Sequence, residues 1–301
     1  MRIGVAATPA AALPTLEWLY GSIHEIALVI SQPDRASGRG RPLASSHVSR
    51  WALDRKIPLL RPHSPDELRG HIEDLDCVLT IGYGVLLPES ILRVPLHGFL
   101  NLHFSILPAY RGAAPVQRAI ERGESATGVT VFALDKGMDT GAIYSQAHLV
   151  IEPTWRTLEL MNALALLGPQ VVETALIAVA KGIKPRPQVG AASMAPKISR
   201  SEAKIDWNLN SEIILARIRG FFPKPCAWSE FKGVVLKLIQ AQICDATLKS
   251  GEISVIAGNL VVGCGDSSAI ALLRVLPAGK KEMSGIEWSR GLHLHGGEFF
   301  E

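Results

Sequence analysis

The chain has 301 residues, 48% of them hydrophobic and 20% charged, with a formal net charge of only +3 and a pI near 8.7. That length supports two domains of ordinary size, and that composition excludes a disordered chain. The slight basic excess permits a nucleic-acid partner without requiring one, so local patches must decide.

In chain order, residues 2–7 read as a buried strand and residues 10–20 as a helix packed back on it. The start of the chain mimics a signal peptide, but its apolar run is short and Pro9 interrupts it, so a buried strand is the better reading. Residues 25–31 form a second strand, followed by a polar loop over 32–42 that carries two glycines and three arginines. A helix over 47–56, a short strand over 58–60 and a helix from Ser64 through Arg69 come next. Residues 77–81 are a strand running into Gly82-Tyr83-Gly84, and residues 99–103 are another. Pro115 opens a helix over 115–122. Strands over 128–134 and 142–151 flank a turn carrying Asp139, and residues 154–182 are a long helix with Leu160, Leu164 and Leu167 at helical spacing. No run of 18 consecutive apolar residues occurs, so no membrane span is expected.

The character changes after Gly182. Residues 183–197 are rich in Pro, Ala and Gly and read as a linker. Beyond it come a helix over 211–220, stopped by Pro223 and Pro225, and short strands over 227–231, 234–241, 252–256, 259–262 and 269–275. The expected fold class is α/β. An N-terminal Rossmann-like, mostly parallel three-layer sheet domain (1–187) leads through a linker (188–203) to a smaller C-terminal OB-like β-barrel (204–301).

The chemistry concentrates in residues 101–112, Asn-Leu-His-Phe-Ser-Ile-Leu-Pro-Ala-Tyr-Arg-Gly. Side chains two apart on a strand share a face, so Asn101, His103 and Ser105 line one side of a strand tip, where open α/β sheets bind ligands. Asp139, in Asp-Lys-Gly-Met-Asp-Thr-Gly, adds a carboxylate. An imidazole can move protons near neutral pH and an amide can donate to a developing oxyanion. Each residue also has a plainer reading: strand-end polar groups can satisfy the backbone, and Asp-Thr-Gly is ordinary turn chemistry. The first strand is followed by Ala6-Ala7-Thr8-Pro9 rather than a Gly-x-Gly-x-x-Gly fingerprint, and no Walker A loop occurs, which disfavours dinucleotide or phosphate-loop enzymes. Cys77, Cys226, Cys244 and Cys264 lie far apart without a Cys-x-x-Cys pair, as expected for reduced cytoplasmic thiols. His293 and His295 lack a third ligand at metal-site spacing, so no metal is expected.

The pattern Asn-x-His-x-Ser-x-Leu-Pro-x-x-Arg-Gly with a downstream Asp-x-Gly-x-Asp-x-Gly resembles the 10-formyltetrahydrofolate-dependent formyltransferases, over nearly the whole chain. Three further stretches resemble the branch that acts on methionyl-tRNA: the arginine loop after Gln32-Pro-Asp, the run Ala195 to Trp207, and Pro277-Ala-Gly-Lys-Lys-Glu-Met-Ser284. The resemblance implies transfer of a formyl group from 10-formyltetrahydrofolate to the amino group of methionine on initiator tRNA. It makes Asn101 and a protonated His103 the oxyanion donors and Asp139 the partner that keeps His103 charged and helps relay the amine proton. It assigns folate contact to Ser105, Ile106, Leu107 and Pro108 and to Gly82, Tyr83, Gly84, Val85 and Leu86. It assigns tRNA contact to Arg35, Gly38, Arg39, Gly40 and Arg41. Beside the resemblance, the cysteine pattern and the lack of a long apolar run or metal-ligand set lead to the expectation of a cytoplasmic protein with no metal and no membrane partner, and a monomer is expected. Phe104 and Ala109 depart from the family pattern and bear on folate affinity.

Arg217, Arg219, Lys224, Lys232 and Lys237 read either as a second tRNA-facing surface or as scattered solvated charges. A formyl-folate hydrolase or a sugar-nucleotide N-formyltransferase would share the Asn/His/Asp set. The hydrolase would not need the arginine loop, and the sugar enzyme predicts a different C-terminal module. A non-catalytic tRNA-binding protein predicts loss of at least one of the three residues, and all three are present.

Overall fold

A computed structural model describes residues 1–36, 43–292, 294 and 297–301. The chain divides into two compact units: Met1–Pro115, Ala126–Val150 and Met161–Pro196 in one, and Val116–Ser125, Ile151–Leu160 and Lys197–Glu301 in the other. The expected linker over 188–203 is thus split, its first part in one unit and its last part in the other.

The elements run β1 (Arg2–Ala7), α1 (Leu13–Tyr20), β2 (Glu25–Ile30), β3 (Arg35–Ala36), β4 (Leu43–Ala44), α2 (His47–Asp54), β5 (Leu59–Leu60), β6 (Cys77–Ile81), α3 (Glu89–Leu92), β7 (Phe99–His103), α4 (Pro115–Glu121), β8 (Ala126–Ala133), β9 (Ile143–Val150) and α5 (Thr157–Ala180). They continue with α6 (Ser211–Phe221), β10 (Trp228–Phe231), β11 (Val234–Cys244), β12 (Glu252–Ile256), β13 (Asn259–Gly263), β14 (Ala269–Pro277), β15 (Met283–Ser284), α7 (Gly285–Arg290) and β16 (Glu298–Phe299).

The first unit holds a seven-stranded sheet in the order β5-β2-β1-β6-β7-β8-β9. Its strands are parallel from β5 to β7, while β8 and β9 are antiparallel additions. β6 is buried at all five positions, as a central parallel strand covered on both faces must be. The chain leaves β1 toward β2 on one side and returns to β6 on the other, so β1 and β6 define a topological switch point at their carboxyl ends.

Gly168 brings α5 close to this sheet. A Cβ there would lie 2.4 Å from Thr15 Oγ1 of α1 and 3.0 Å from Leu102 of β7. By length and composition α5 is also apolar enough to cross a membrane. Within the first unit, however, its Leu164, Val172, Ala175 and Leu176 are fully buried at helical spacing.

The second unit is a sheet in the order β10-β11-β14-β13-β12-β16, antiparallel throughout. Just past β16, the Glu301 amide donates to the Glu230 carbonyl of β10 at 2.9 Å, which closes the barrel. Trp207, Phe231, Trp288 and Phe300 stack or meet edge-on inside it. Sequence patterning located the five long strands, whereas β15, α7 and β16 are too short to show a period.

Candidate active site

The site is built at the end of β7. Asn101 pairs in parallel register with Thr80 of β6, and His103 pairs with Thr130 of β8. The Thr80 hydroxyl donates to Asn101 Oδ1 at 2.7 Å, which turns the amide NH₂ of Asn101 away from Thr80. His103 is 6% exposed, edge-on to Phe132, and its Nε2 lies 2.9 Å from the Tyr110 carbonyl. A carbonyl only accepts, so Nε2 carries a proton. Nδ1 stands 3.6 Å from Asp139 Oδ2, near enough for charge interaction and too far for a direct hydrogen bond.

Asp139 arrives from the turn between β8 and β9. Its φ of 54° is left-handed, a conformation Asp tolerates better than most residues. The Gly112 amide donates to its Oδ2 at 2.7 Å. Gly112 itself has φ of 122°, and a Cβ there would stand 2.8 Å from the Ala195 carbonyl oxygen, so the close approach requires glycine.

The turn after β7 is braced from beneath. Ser105 is fully buried; its hydroxyl donates to the Ala109 carbonyl at 2.6 Å, and its carbonyl accepts from Thr130 Oγ1 at 2.7 Å. The Leu107 amide donates to Thr130 Oγ1 and its carbonyl accepts from Gln146 Nε2, while its side chain packs with Phe132 and Ile143. Ser105 and Leu107 are therefore committed to the protein, and Ile106 and Pro108 are the half-exposed members of this stretch. Phe104 is buried.

The other expected folate segment lies at the switch point. Gly82 and Gly84 have φ of 56° and 73°, and a Cβ on Gly82 would come within 2.8 Å of Pro9. Gln32 donates to the Tyr83 carbonyl at 2.6 Å and the Tyr83 ring is buried, whereas Val85 and Leu86 present exposed apolar side chains. Glycine backbone beside an apolar rim suits the flat, partly apolar ring system of a folate.

Of the arginine loop, Gly38, Arg39, Gly40 and Arg41 lie outside the described residues, as do His293 and His295; for Arg35 only the backbone, in β3, is described. Arg217 and Arg219 do not form an open cationic face. Arg217 Nε lies 3.7 Å from Glu121, and Arg219 donates to the Pro153 carbonyl. Burial pushes the thiols of Cys77, Cys226 and Cys264 upward, Cys77 to about 12, so none of these three is a nucleophile at neutral pH.

A family model described as formyl transferase matches residues 7–176, and one for the formyl transferase C-terminal domain matches residues 197–293. A methionyl-tRNA formyltransferase of Streptomyces griseus is 39% identical over 308 aligned residues, covering 99% of each chain. The chain belongs to the methionyl-tRNA formyltransferase family.

Among solved structures, the methionyl-tRNA formyltransferase of Clostridium thermocellum superposes with a TM-score of 0.58 at 17% identity, covering 81% of this chain and 94% of that one. HypX of Aquifex aeolicus, in complex with tetrahydrofolic acid, superposes with a TM-score of 0.65 at 18% identity over 97% of this chain. The chain spans about half of HypX (47%), and at that identity the likeness concerns the fold. Membership in the formyltransferase family gives the Asn101, His103 and Asp139 cluster its context. The sequence motif marks these three as candidates, and the structure brings His103 Nδ1 and Asp139 Oδ2 within 3.6 Å at the strand tip. Thr80, Tyr110, Gly112 and Gln188 were not singled out for any part in holding that cluster, because their roles arise from long-range contacts.

Proposed function

We propose that this protein transfers the formyl group of 10-formyltetrahydrofolate to the free amino group of methionine on initiator methionyl-tRNA, giving the N-formylated tRNA that starts translation. The observation that carries this reading is the 3.6 Å approach of Asp139 Oδ2 to His103 Nδ1, two residues along β7 from Asn101. The kinship in sequence to tRNA formyltransferases along the whole chain supports the acceptor. The folate-bound neighbour structure supports the donor.

The amine nitrogen attacks the formyl carbon, and the formyl oxygen gathers negative charge. Asn101, with Oδ1 held by Thr80, aims its N–H groups at that oxygen. With Nε2–H tied to Tyr110, proton traffic at His103 runs through Nδ1. The protonated ring can donate to the oxyanion, and the neutral ring can accept the proton the amine loses. Asp139 balances the ring's positive charge. Collapse breaks the bond to the folate nitrogen, which takes up a proton as it leaves. Gly82, Tyr83, Gly84, Val85 and Leu86, with Ile106 and Pro108, form the proposed folate contacts. The loop from Arg35 to Arg41 forms the proposed tRNA contact, with Arg39 reading the initiator's unpaired end. A cytoplasmic monomer goes with this reading.

The test is formyl transfer to charged initiator tRNA, charged elongator tRNA and water. Initiator tRNA should be formylated preferentially, and comparable folate release in water alone would favour a hydrolase instead. Asn101→Ala, His103→Ala and Asp139→Ala should each lower turnover by about 10²–10³ while the protein stays folded. Near-normal formylation by two of the three variants would sink the proposal.

A further inference from the structure

We infer that Gln188 is a positioning residue for Asp139, an inference that rests on the formyl-transfer reading above. Composition makes residues 183–197 look like a free connector. In the structure the part up to Pro196 lies across both loops of the site as a strap. Arg186 and Ile143 exchange two backbone hydrogen bonds, of 2.7 and 2.9 Å, at one end. At the other end the Arg111 amide donates to Ser193 O at 2.8 Å, and the Ala195 amide donates to Arg111 O at 2.7 Å. The Tyr110 amide also donates to Ser193 Oγ at 2.9 Å.

Gln188 sits between these anchors with its amide fully used. Its Oε1 accepts from Arg111 Nε and Nη2 at 3.1 and 2.6 Å. Its Nε2 donates to the carbonyls of Asp139 and Gly141, both at 2.8 Å. A guanidinium only donates and a carbonyl only accepts, so the orientation of this amide is forced. The result is a closed ring. Arg111 is followed by Gly112, whose amide holds the Asp139 carboxylate; Gln188 returns from Arg111 to the Asp139 carbonyl. The main chain of Asp139 is left-handed, a strained conformation that persists only where its surroundings over-determine it. Bonds to the carbonyls of Asp139 and Gly141 clamp that turn, and with it the distance from the carboxylate to His103.

Gln188→Ala and Gln188→Met test this alongside the wild type. Met keeps the side-chain length and packing but makes none of the four bonds. Both variants should lose on the order of 10- to 100-fold in kcat, the scale of a misplacement near 1 Å, with KM for folate and tRNA unchanged. Gln188→Glu should lose as much, because its carboxylate satisfies Arg111 and repels the two carbonyls. The ring signals of His103 in NMR should shift in Gln188→Met, an effect that is independent of turnover. A wild type that fails to formylate while the ring signals still move would defeat the functional reading and leave the clamp supported. An active wild type, with Gln188→Met matching its kcat and its His103 signals, would overturn the inference.

Discussion

The amide of Asn101 works only if its NH₂ end faces the reacting oxygen, and Thr80 decides which end that is. The Thr80 hydroxyl is buried and has one hydrogen to give. Its two nearby acceptors are Asn101 Oδ1 at 2.7 Å and the Leu100 carbonyl at 3.1 Å. The shorter contact takes the hydrogen and fixes the carboxamide plane. Thr80→Val preserves shape and strand propensity and removes only that hydrogen bond. We expect kcat to fall on the order of tenfold, less than deletion of Asn101 itself, with KM and melting temperature nearly unchanged. Steady-state kinetics beside a thermal melt would check this, and an unaltered kcat would show that the amide is oriented by something else. Asn101 and His103 stood out as candidates in the sequence because alternation on a strand is a local rule, and Asp139 because its Asp-Thr-Gly turn is local too. Thr80 was not, because its role depends on the register between two parallel strands twenty residues apart.

Elements were legible where hydrophobic period exceeds a turn. β6, β7 and β12 fall where the pattern put them, and α5 and α6 differ from it only at their ends. What the pattern did not carry is partnership. α4 follows the site loop in sequence, yet its residues from Val116 onward belong to the compact unit of the barrel. Gly220 of α6 explains how α6 approaches it. A Cβ there would lie 2.9 Å from Gln117 O and 3.1 Å from Glu121 N of α4, and the Gly220 carbonyl accepts from Thr157 Oγ1 at 2.6 Å. Alanine would gain about 1 kcal/mol of helix propensity. Overpacking against backbone, which yields less than a side chain, costs about 1–3 kcal/mol. Gly220→Ala should therefore be net destabilising by about 1 kcal/mol, read as a lower urea midpoint with an unchanged slope. A variant more stable than the wild type would mean that propensity, not helix contact, governs that position.

At the scale of the whole molecule, the second unit is stitched from three separated stretches, and charge does much of the stitching. Arg118, 7% exposed, donates to Glu121 at 2.7 Å and binds Glu202 with both terminal nitrogens; Arg217 approaches Glu121 from α6. The Arg118 guanidinium holds the Glu202 carboxyl below the usual carboxylate range, chiefly through the side-chain hydrogen bond and against the opposing effect of burial. A carboxylate depressed in the folded state stabilises the fold above its unfolded pKa of about 4.3. That stabilisation is lost as pH falls through the folded value. Glu202→Gln should thus be less stable than the wild type at pH 7, with the two converging as the pH drops below about 4. Because a third of the Glu202 side chain is exposed (34%), solvent screening limits the difference at pH 7 to on the order of 1 kcal/mol. Urea titrations of both proteins across that pH range measure it directly. A gap that stays constant with pH would show that the substitution acts through shape rather than through the lost charge, and that the segments are held by packing alone.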